Sequence, residues 1–364
     1  MSPINHHYLL QIAAGVLARP GHRHHLPLLE EAVLEQPLSL ETVSQPGRGE
    51  TGIAGRSYAQ DQVVIARPRK SSFIRPFDGT AGLVCNKFYR LILSNGCPFN
   101  CQYCYLRLIL GSNKGPLVFT NPWSEVERQL EKIPTGVFST GELADSLAIT
   151  PPLLRPAIEY FRKQTNKFLF LTTKSKNIKL LLGIRPTPQV WISFSVNAVK
   201  TWELFEQNTP HPEERLAAAW RLKEAGWRVK IRIDPVIPEV GIDHYREVAR
   251  KVSALAPERV TVGVLKHFPR FPRCQREGPQ RQLAESPNGI KRYPSHVKAR
   301  VFNSLAEWLE CQPAICRETA DLWKEMGWRA NGCNCTPTRI SGGPDSEMPR
   351  PGSTSVARPE ANCS

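Results

Sequence analysis

Three cysteines at short, unequal spacing are the residues of this chain with the clearest chemical potential. Cys97, Cys101 and Cys104 lie in the stretch "SNGCPFNCQYCYL" (94–106) and follow the pattern C-x3-C-x2-C. Three thiolates can bind three irons of a cubane iron–sulfur cluster and leave the fourth iron without a protein ligand. A structural zinc site is the main alternative, but it usually takes four ligands in two pairs, and no second pair lies nearby. The spacing therefore favours a four-iron cluster with one open coordination position.

Six short β-rich runs separated by helical patterns predict how the chain positions this loop. The runs cover residues 88–94, 136–140, 167–173, 190–196, 228–234 and 259–265. A helix is predicted over 211–226, with Pro212 near its start and Gly226 to end it. A second helix is predicted over 243–256, with one apolar stripe formed by Tyr245, Val248, Val252 and Leu255. Strands that alternate with helices imply a parallel sheet, and six repeats are fewer than the eight of a closed TIM barrel. The predicted fold class is therefore α/β, a partial (β/α)6 barrel of the TIM type.

Polar residues follow each of the six runs. They are Asn95 and Cys97; Ser139, Thr140 and Glu142; Thr173 and Lys174; Ser195 and Asn197; Asp234; and Lys266 and His267. The carboxyl ends of parallel strands meet at one rim, and the chemistry of such folds lies there. We expect these side chains to surround a common site.

The charge of the chain bears on its partners. The net charge is +15 and the estimated pI is about 9.5. A basic surface favours polyanions such as nucleic acid, although the same charge can serve solubility alone. The longest apolar runs are too short to span a bilayer, and the N-terminal stretch has no convincing secretory signal. The sequence thus predicts a cytoplasmic protein with no membrane segment, in which clustered cysteines serve metal binding or catalysis rather than disulfides.

Composition shifts divide the chain into four predicted regions. Residues 1–79 form an N-terminal leader and linker, and residues 80–270 form the barrel. Residues 271–340 form a helical extension, and the Pro-, Gly- and Ser-rich residues 341–364 form a disordered tail.

The ordered motifs make the chain recognisable. The cysteine triplet after the first strand of a partial barrel resembles the radical S-adenosylmethionine (SAM) superfamily. The further motifs "TGELADSLAI" (140–149), "LTTKSKN" (171–177), "FSVNA" (194–198) and "IRIDPVIP" (231–238) occur in the order seen in spore photoproduct lyase and its lyase-like relatives. The resemblance covers roughly residues 80–310. It implies a [4Fe–4S] cluster whose open iron chelates S-adenosyl-L-methionine, and reductive cleavage of SAM to a 5′-deoxyadenosyl radical.

The resemblance also implies roles for single residues. Cys97, Cys101 and Cys104 would be the cluster ligands, and Tyr103 would pack near the adenine. The predicted SAM contacts are Gly141 and Glu142 for the amino group, Lys174 for the carboxylate, and Ser195 and Asn197 for the ribose. Arg232 and Asp234 would line the cavity near the adenosine or the substrate.

One family feature is missing from the sequence. Spore photoproduct lyase uses a cysteine after its second strand to return a hydrogen atom to the repaired thymine. Here that strand end reads "VFSTGELAD", with Ser139 and Thr140 and no cysteine. Tyr105 matches a family tyrosine linked to this hydrogen relay and is the predicted catalytic residue. Four late cysteines, Cys311, Cys316, Cys333 and Cys335, fit an auxiliary cluster or zinc as well as incidental thiols, and no role is assigned to them.

Two function classes follow. The first is a carbon–carbon lyase of the spore photoproduct lyase type that acts on DNA, with an electron donor such as flavodoxin or ferredoxin. Basic–aromatic stretches at 67–77 and 266–276 favour it. The alternative is a radical SAM enzyme that modifies a peptide or small molecule.

Overall fold

The computed structural model describes residues 64–79, 82–106, 116–267, 284–285, 290–330 and 332–338. Residues 1–63 of the predicted leader and linker (1–79) and the predicted tail 341–364 lie outside the described residues. The four-region division of the chain stays a prediction.

An eight-stranded sheet forms the frame of the described part. From one edge to the other its strands are β15 (Ala314–Ile315), β12 (Val260–Val264), β11 (Arg228–Val236), β9 (Val190–Val196), β8 (Lys167–Thr173), β7 (Gly136–Ser139), β3 (Phe88–Leu91) and β2 (Ile74–Phe77). Neighbouring strands run parallel, except that β2 pairs antiparallel with β3. The predicted α/β class and the parallel order of its six strands are confirmed.

Helices connect the strands. They are α1 (Trp123–Glu131), α2 (Leu154–Arg162), α3 (Lys179–Leu182), α4 (Val199–Phe205), α5 (Pro212–Glu224), α6 (Arg246–Leu255), α7 (Ser295–Leu309) and α8 (Ala320–Glu325). In the part of the chain that the structure describes, none of them is long and apolar enough to cross a bilayer.

Both sequence-predicted helices are confirmed. The first residues of α5 are held by a capping box, in which the His211 side chain accepts from Glu213 N and Glu214 bonds back to His211 N. The helix ends before Gly226, whose φ of +87° suits a residue without a Cβ. A 3-10 turn at Ile242–Tyr245 leads into α6, and the predicted apolar stripe of α6 is buried.

Further short strands in the described residues lie outside the eight-stranded sheet. They are β1 (Ile65–Arg67), β4 (Ser94–Asn95), β5 (Asn100–Cys101), β6 (Leu117–Phe119), β10 (Glu206–Gln207), β13 (Ala284–Glu285) and β14 (Lys291–Arg292). The run predicted as one strand over 88–94 is split, since β3 stops at Leu91 and β4 pairs antiparallel with β6. Leu91, Ile92 and Leu93 are all buried in succession, so the two-residue alternation of a strand is lost at this point.

The two faces of the sheet pack against different partners. Val190, Ile192 and Phe194 belong to the large core cluster that also contains residues of the helices. The opposite side, here called the inner face, carries Trp191 and Ser193, and is covered by residues 332–338, here called the inner segment. Asn334 of that segment is fully buried. Both faces of β9 are therefore buried, which is typical of a barrel strand.

Candidate functional site

The cysteine triplet lies on one loop at the rim of the sheet. None of the three cysteines forms a disulfide, and Cys101 belongs to β5, which pairs antiparallel with β10 and so fixes this part of the loop. Burial raises the pKa of Cys97 and of Cys101; Asp145 and then Cys101 raise that of Cys97 further, and Glu206 and Cys104 raise that of Cys101, so the three sulfurs lie near one another. Metal binding to such thiols would release their protons.

The donor set fits an iron–sulfur cluster. Three cysteines of one loop can each give a thiolate to one iron of a cubane. Within the described ranges, no three His, Cys, Asp or Glu side chains stand in the arrangement of a site for a single metal ion.

A buried ion pair supports the cysteine loop from below. Glu206 of β10 and Arg215 of α5 approach to 2.6 Å, and both side chains are fully buried. Tyr103 Oη donates to Glu206 Oε1, and Asn197 Nδ2 donates to the same oxygen at 3.0 Å. Burial opposes the charged form, but Arg215 and then Lys174 hold the pKa of Glu206 at about 2. Glu206 is therefore a buried carboxylate that fixes the position of the Tyr103 ring.

Lys174 is the cation that faces the triplet. It follows β8 directly, and its Nζ lies 5.8 Å from the centroid of the Tyr103 ring. Its charge lowers the pKa of Cys101, against the larger effect of burial, and it also lowers the pKa of Asp234. Lys174 thus stands between the cysteine loop and the end of β11, where a cofactor carboxylate could pair with it.

Asp145 holds the backbone around Lys174. Its Oδ2 accepts from Lys174 N at 2.6 Å, and its Oδ1 accepts from Thr173 Oγ1 at 2.7 Å. The same Oδ1 accepts from the backbone N of Leu147 and of Ala148 at 3.0 and 2.8 Å. One carboxylate therefore fixes the end of β8 to the segment that follows β7.

That segment contains Gly141 and Glu142. A Cβ added at Gly141 would lie 2.5 Å from Thr172 Cβ, so the close approach of the two strand ends requires glycine. The backbone oxygen of Glu142 accepts from Tyr105 Oη, which joins the predicted catalytic tyrosine to this segment. Thr140 is buried, and its hydroxyl bonds to Ser146 Oγ at 2.7 Å.

Ser195 and Asn197 are more deeply placed than a ligand contact requires. Ser195 and Asn197 are 3% and 0% exposed. Asn197 Nδ2 also donates to Pro235 O at 3.1 Å, and its Oδ1 accepts from Ala198 N at 3.0 Å. In this arrangement Asn197 supports Glu206, and the ribose contact predicted for both residues stays a prediction.

Arg232 and Asp234 form an ion pair on the inner face at 3.0 Å. Burial works against the Asp234 charge, but Arg232, Lys266 and Lys174 lower the pKa of Asp234 overall. Gly263 of β12 leaves room for this carboxylate, because a Cβ there would lie 2.5 Å from Asp234 Oδ1. The pair also approaches the late cysteines, since Arg232 Nη1 lies 3.5 Å from Cys316 Sγ.

The structure brings most predicted site residues to one end of the sheet and adds others that the sequence did not indicate. Asp145, Glu206 and Arg215 were not predicted. Asp145 lies inside the motif "TGELADSLAI" (140–149), but nothing in that motif indicates that its carboxylate accepts several hydrogen bonds. Glu206 and Arg215 are common residue types on a short strand and a helix, so no sequence signal indicated their burial.

The basic–aromatic stretch at 67–77 is only partly suited to nucleic acid. Arg67, Lys70 and Arg75 are exposed. Phe73 is buried in the core, and Phe77 stacks on Phe88 with centroids 4.5 Å apart. This stretch therefore offers charge rather than rings for base stacking. In the second stretch, residues 268–276 lie outside the described residues.

Comparisons with known proteins place these features in a family context. The family model for spore photoproduct lyase matches residues 84–274. Spore photoproduct lyase of Clostridium acetobutylicum is 27% identical over 190 residues, which is 49% of this chain and 56% of the relative. The enzyme of a Geobacillus species is 24% identical over 231 residues, 60% and 66% of the two chains. The Bacillus subtilis enzyme is 26% identical over 180 residues, 47% and 53%. The chain thus spans about half to two thirds of the length of these relatives.

Solved structures show the same fold. Spore photoproduct lyase complexed with dinucleoside spore photoproduct has a TM-score of 0.60 at 19% identity, covering 73% of this chain and 87% of that chain. A variant with bound AdoMet and dinucleoside spore photoproduct has a TM-score of 0.59 at 20% identity, with the same coverage. At this identity the likeness shows the fold, and the predicted partial barrel is confirmed.

Proposed function

The chain belongs to the spore photoproduct lyase family, and on that premise we propose that it is a radical SAM carbon–carbon lyase acting on a thymine photoproduct in DNA. The [4Fe–4S] cluster and SAM, when bound, supply a 5′-deoxyadenosyl radical.

The observation that carries the proposal is the shared pocket of the triplet and Lys174. Cys97, Cys101 and Cys104 would hold the cluster, and the ammonium of Lys174 beside the Tyr103 ring would pair with the SAM carboxylate. A compact cation at a strand end suits a carboxylate, and Asp145 limits its movement through the backbone.

The other residues would orient the cofactor. Gly141 and Glu142 lie on the segment tied to Tyr105 and would receive the SAM amino group. Ser195 and Asn197 are assigned to the ribose side. The Arg232–Asp234 pair would line the cavity near the adenosine, and Tyr105 would take part in the hydrogen relay.

The proposal is tested by anaerobic turnover with dinucleoside spore photoproduct and with ultraviolet-irradiated DNA. Reconstituted protein, SAM and a flavodoxin or ferredoxin as electron donor should yield thymine and 5′-deoxyadenosine. Release of 5′-deoxyadenosine with unchanged photoproduct would move the substrate to a peptide or small molecule. Absence of SAM cleavage with a loaded cluster would overturn the proposal.

Lys174→Ala should weaken SAM binding more than it alters iron content. Losing a charge-assisted hydrogen bond costs about 1.5–3 kcal/mol, or one to two decades in the SAM dissociation constant. Lys176→Ala is the matched control, because Lys176 lies in the same basic run but is exposed and pairs with Glu214 at 2.6 Å. Equal SAM affinity in both variants, measured by calorimetry, would remove Lys174 from the site.

DNA affinity should fall steeply with added salt, because phosphate contacts release counterions. The combined substitution of Arg67, Lys70 and Arg75 by alanine should reduce the slope of log K against log salt by about 2 to 3. Lys251→Ala on α6 is a charge control, since Lys251 pairs with Glu247 at 2.8 Å. DNA binding that ignores salt would contradict the electrostatic contact.

A further inference from the structure

The inner segment carries two cysteines onto the inner face of the barrel. Residues 333–336 form a turn, in which Thr336 N donates to Cys333 O at 2.9 Å. Asn334, between the cysteines, donates to Ser193 Oγ at 2.7 Å and to Ile231 O at 2.8 Å, and its Oδ1 accepts from Thr261 Oγ1 at 2.8 Å. Three neighbouring strands therefore hold this turn, and with it the sequence Cys333-Asn334-Cys335.

The two sulfurs contact each other and a cation. The two side chains act on each other: Cys335 lowers the pKa of Cys333, and Cys333 raises the pKa of Cys335. Arg232 Nη2 lies 3.9 Å from Cys335 Sγ, and Asn86 Nδ2 lies 3.5 Å from Cys333 Sγ. The side chain of Cys335 and the charge of Arg232 lower the pKa of Cys333 against the effect of burial. The side chain of Cys333 and then burial raise the pKa of Cys335. Cys333 is therefore the more readily ionised thiol of the two, and Cys335 is the one that holds its proton more firmly.

This pair lies on the side of the barrel where the proposed reaction would occur. Arg232 contacts Cys335 through one nitrogen and Asp234 through the other, at 3.0 Å. The charge of Lys174, which faces the cysteine loop, in turn lowers the pKa of Asp234. Cys335 also packs against the inner aromatic cluster of Phe88, Phe170 and Trp191. Cys333 and Cys335 are both partly exposed.

From this geometry we propose that Cys335 donates the hydrogen atom that quenches the product radical, and that Cys333 is its resolving partner. The inference rests on the proposed function, and it supplies from the inner segment the thiol that is missing after β7. Thr140 cannot serve in its place, because its O–H bond is much stronger than a thiol S–H bond and its hydroxyl is engaged by Ser146.

The S–H bond of Cys335 breaks and a C–H bond forms on the substrate carbon, which leaves a thiyl radical on Cys335. The Cys333 thiolate bonds to that sulfur and gives a disulfide radical anion. Its extra electron passes to a one-electron acceptor of the flavodoxin or ferredoxin class, and a disulfide remains. A dithiol reductant, by thiol–disulfide exchange, restores the pair.

Only Asn334 separates the two cysteines in the sequence, and both cysteines lie on the turn that closes between Cys333 O and Thr336 N.

The test follows deuterium and the cysteine pair during a single anaerobic turnover in D2O with dinucleoside spore photoproduct. Thiol hydrogens exchange with solvent, so the wild type should place deuterium in the recovered thymine. Peptide mapping after alkylation should show a Cys333–Cys335 disulfide in an amount equal to the thymine formed. A pair that stays fully reduced while thymine forms would overturn the inference.

Substitution of Cys335 is the second part of the test. Cys335→Ala should still form 5′-deoxyadenosine but lose deuterated thymine by about tenfold or more, an added barrier of about 1.4 kcal/mol or more. Cys335→Ser keeps the size of the side chain and should lose thymine equally, which keeps the test valid if the alanine variant folds poorly. Cys85→Ala, a neighbouring thiol outside the pair, should match the wild type.

The outcomes separate the two proposals. Normal 5′-deoxyadenosine formation with deuterated thymine retained in both Cys335 variants overturns the role of Cys335 and leaves the lyase proposal standing. No 5′-deoxyadenosine from the wild type overturns the lyase proposal, and the hydrogen-donor role falls with it.

Discussion

Replacing Cys97, Cys101 and Cys104 together with alanine should give a colourless protein without iron that forms no 5′-deoxyadenosine. The wild type, purified anaerobically, should be brown and contain about four irons per chain. Single substitutions should already destroy activity, because each thiolate is expected to hold a different iron. Iron and acid-labile sulfide analysis, with the visible absorption spectrum, measures the loss directly.

The control for this experiment is Cys85→Ala. Cys85 is a free cysteine outside the loop, so its variant should keep the iron content and colour of the wild type. Stoichiometric zinc without iron in the wild type would contradict the cluster assignment. Iron retained by the triple variant would place the cluster elsewhere in the chain.

Arg215→Ala should cost about 3–5 kcal/mol of unfolding free energy, because it leaves the Glu206 carboxylate buried without its cation. Arg215 also donates to Pro210 O and Thr209 Oγ1 at 2.7 Å each and to Ser195 O at 3.2 Å, so four acceptors including Glu206 lose their partner. Urea denaturation followed by circular dichroism measures the loss. Lys176→Ala breaks an exposed ion pair and should cost at most about 1 kcal/mol. If Arg215→Ala lowers the free energy of unfolding by no more than Lys176→Ala does, the buried pair adds no stability.

The Glu206–Arg215 pair also makes the free energy of unfolding depend on pH under acid conditions. The pKa of Glu206 is lowered to about 2 in the folded state, so its contribution to stability is fully present above the unfolded value near 4.5. That contribution is lost as the pH falls through about 2. The double substitution of Glu206 and Arg215 by apolar residues should flatten the pH dependence in this window, as measured by urea midpoints between pH 5 and 2.

Much of the frame could be predicted because its strands are long and β-rich. The bounds predicted for β8 and β9 are those observed, and β11 extends two residues further. The two-residue β15 and the edge strand β2 were missed, since neither shows a period that distinguishes it from a loop. Their formation depends on a neighbouring strand edge that only the folded sheet provides.

The site was predictable where chemistry and spacing coincide in a short stretch. The triplet and Lys174 each follow a strand, so their common rim could be inferred from the parallel order. The support of Lys174 by Asp145 and of Tyr103 by Glu206 could not, because these contacts depend on side-chain directions in three dimensions. The inner segment was missed for the same reason, since its polar composition is typical of a surface loop.

The inner segment also sets the order in which the chain can assemble. Asn86 Nδ2 bonds Thr336 Oγ1 across 250 positions, and Trp191 Nε1 bonds Asn334 O across 143. Forming contacts of such high sequence separation first costs the entropy of closing a long loop. Proteins with a larger share of these contacts therefore fold more slowly. During synthesis the strands of the barrel are made long before residues 332–338 leave the ribosome. Until then the inner side of Trp191 and the Arg232 guanidinium lack the contacts that the inner segment makes. We therefore expect the incomplete barrel to expose apolar surface of the kind that chaperones bind.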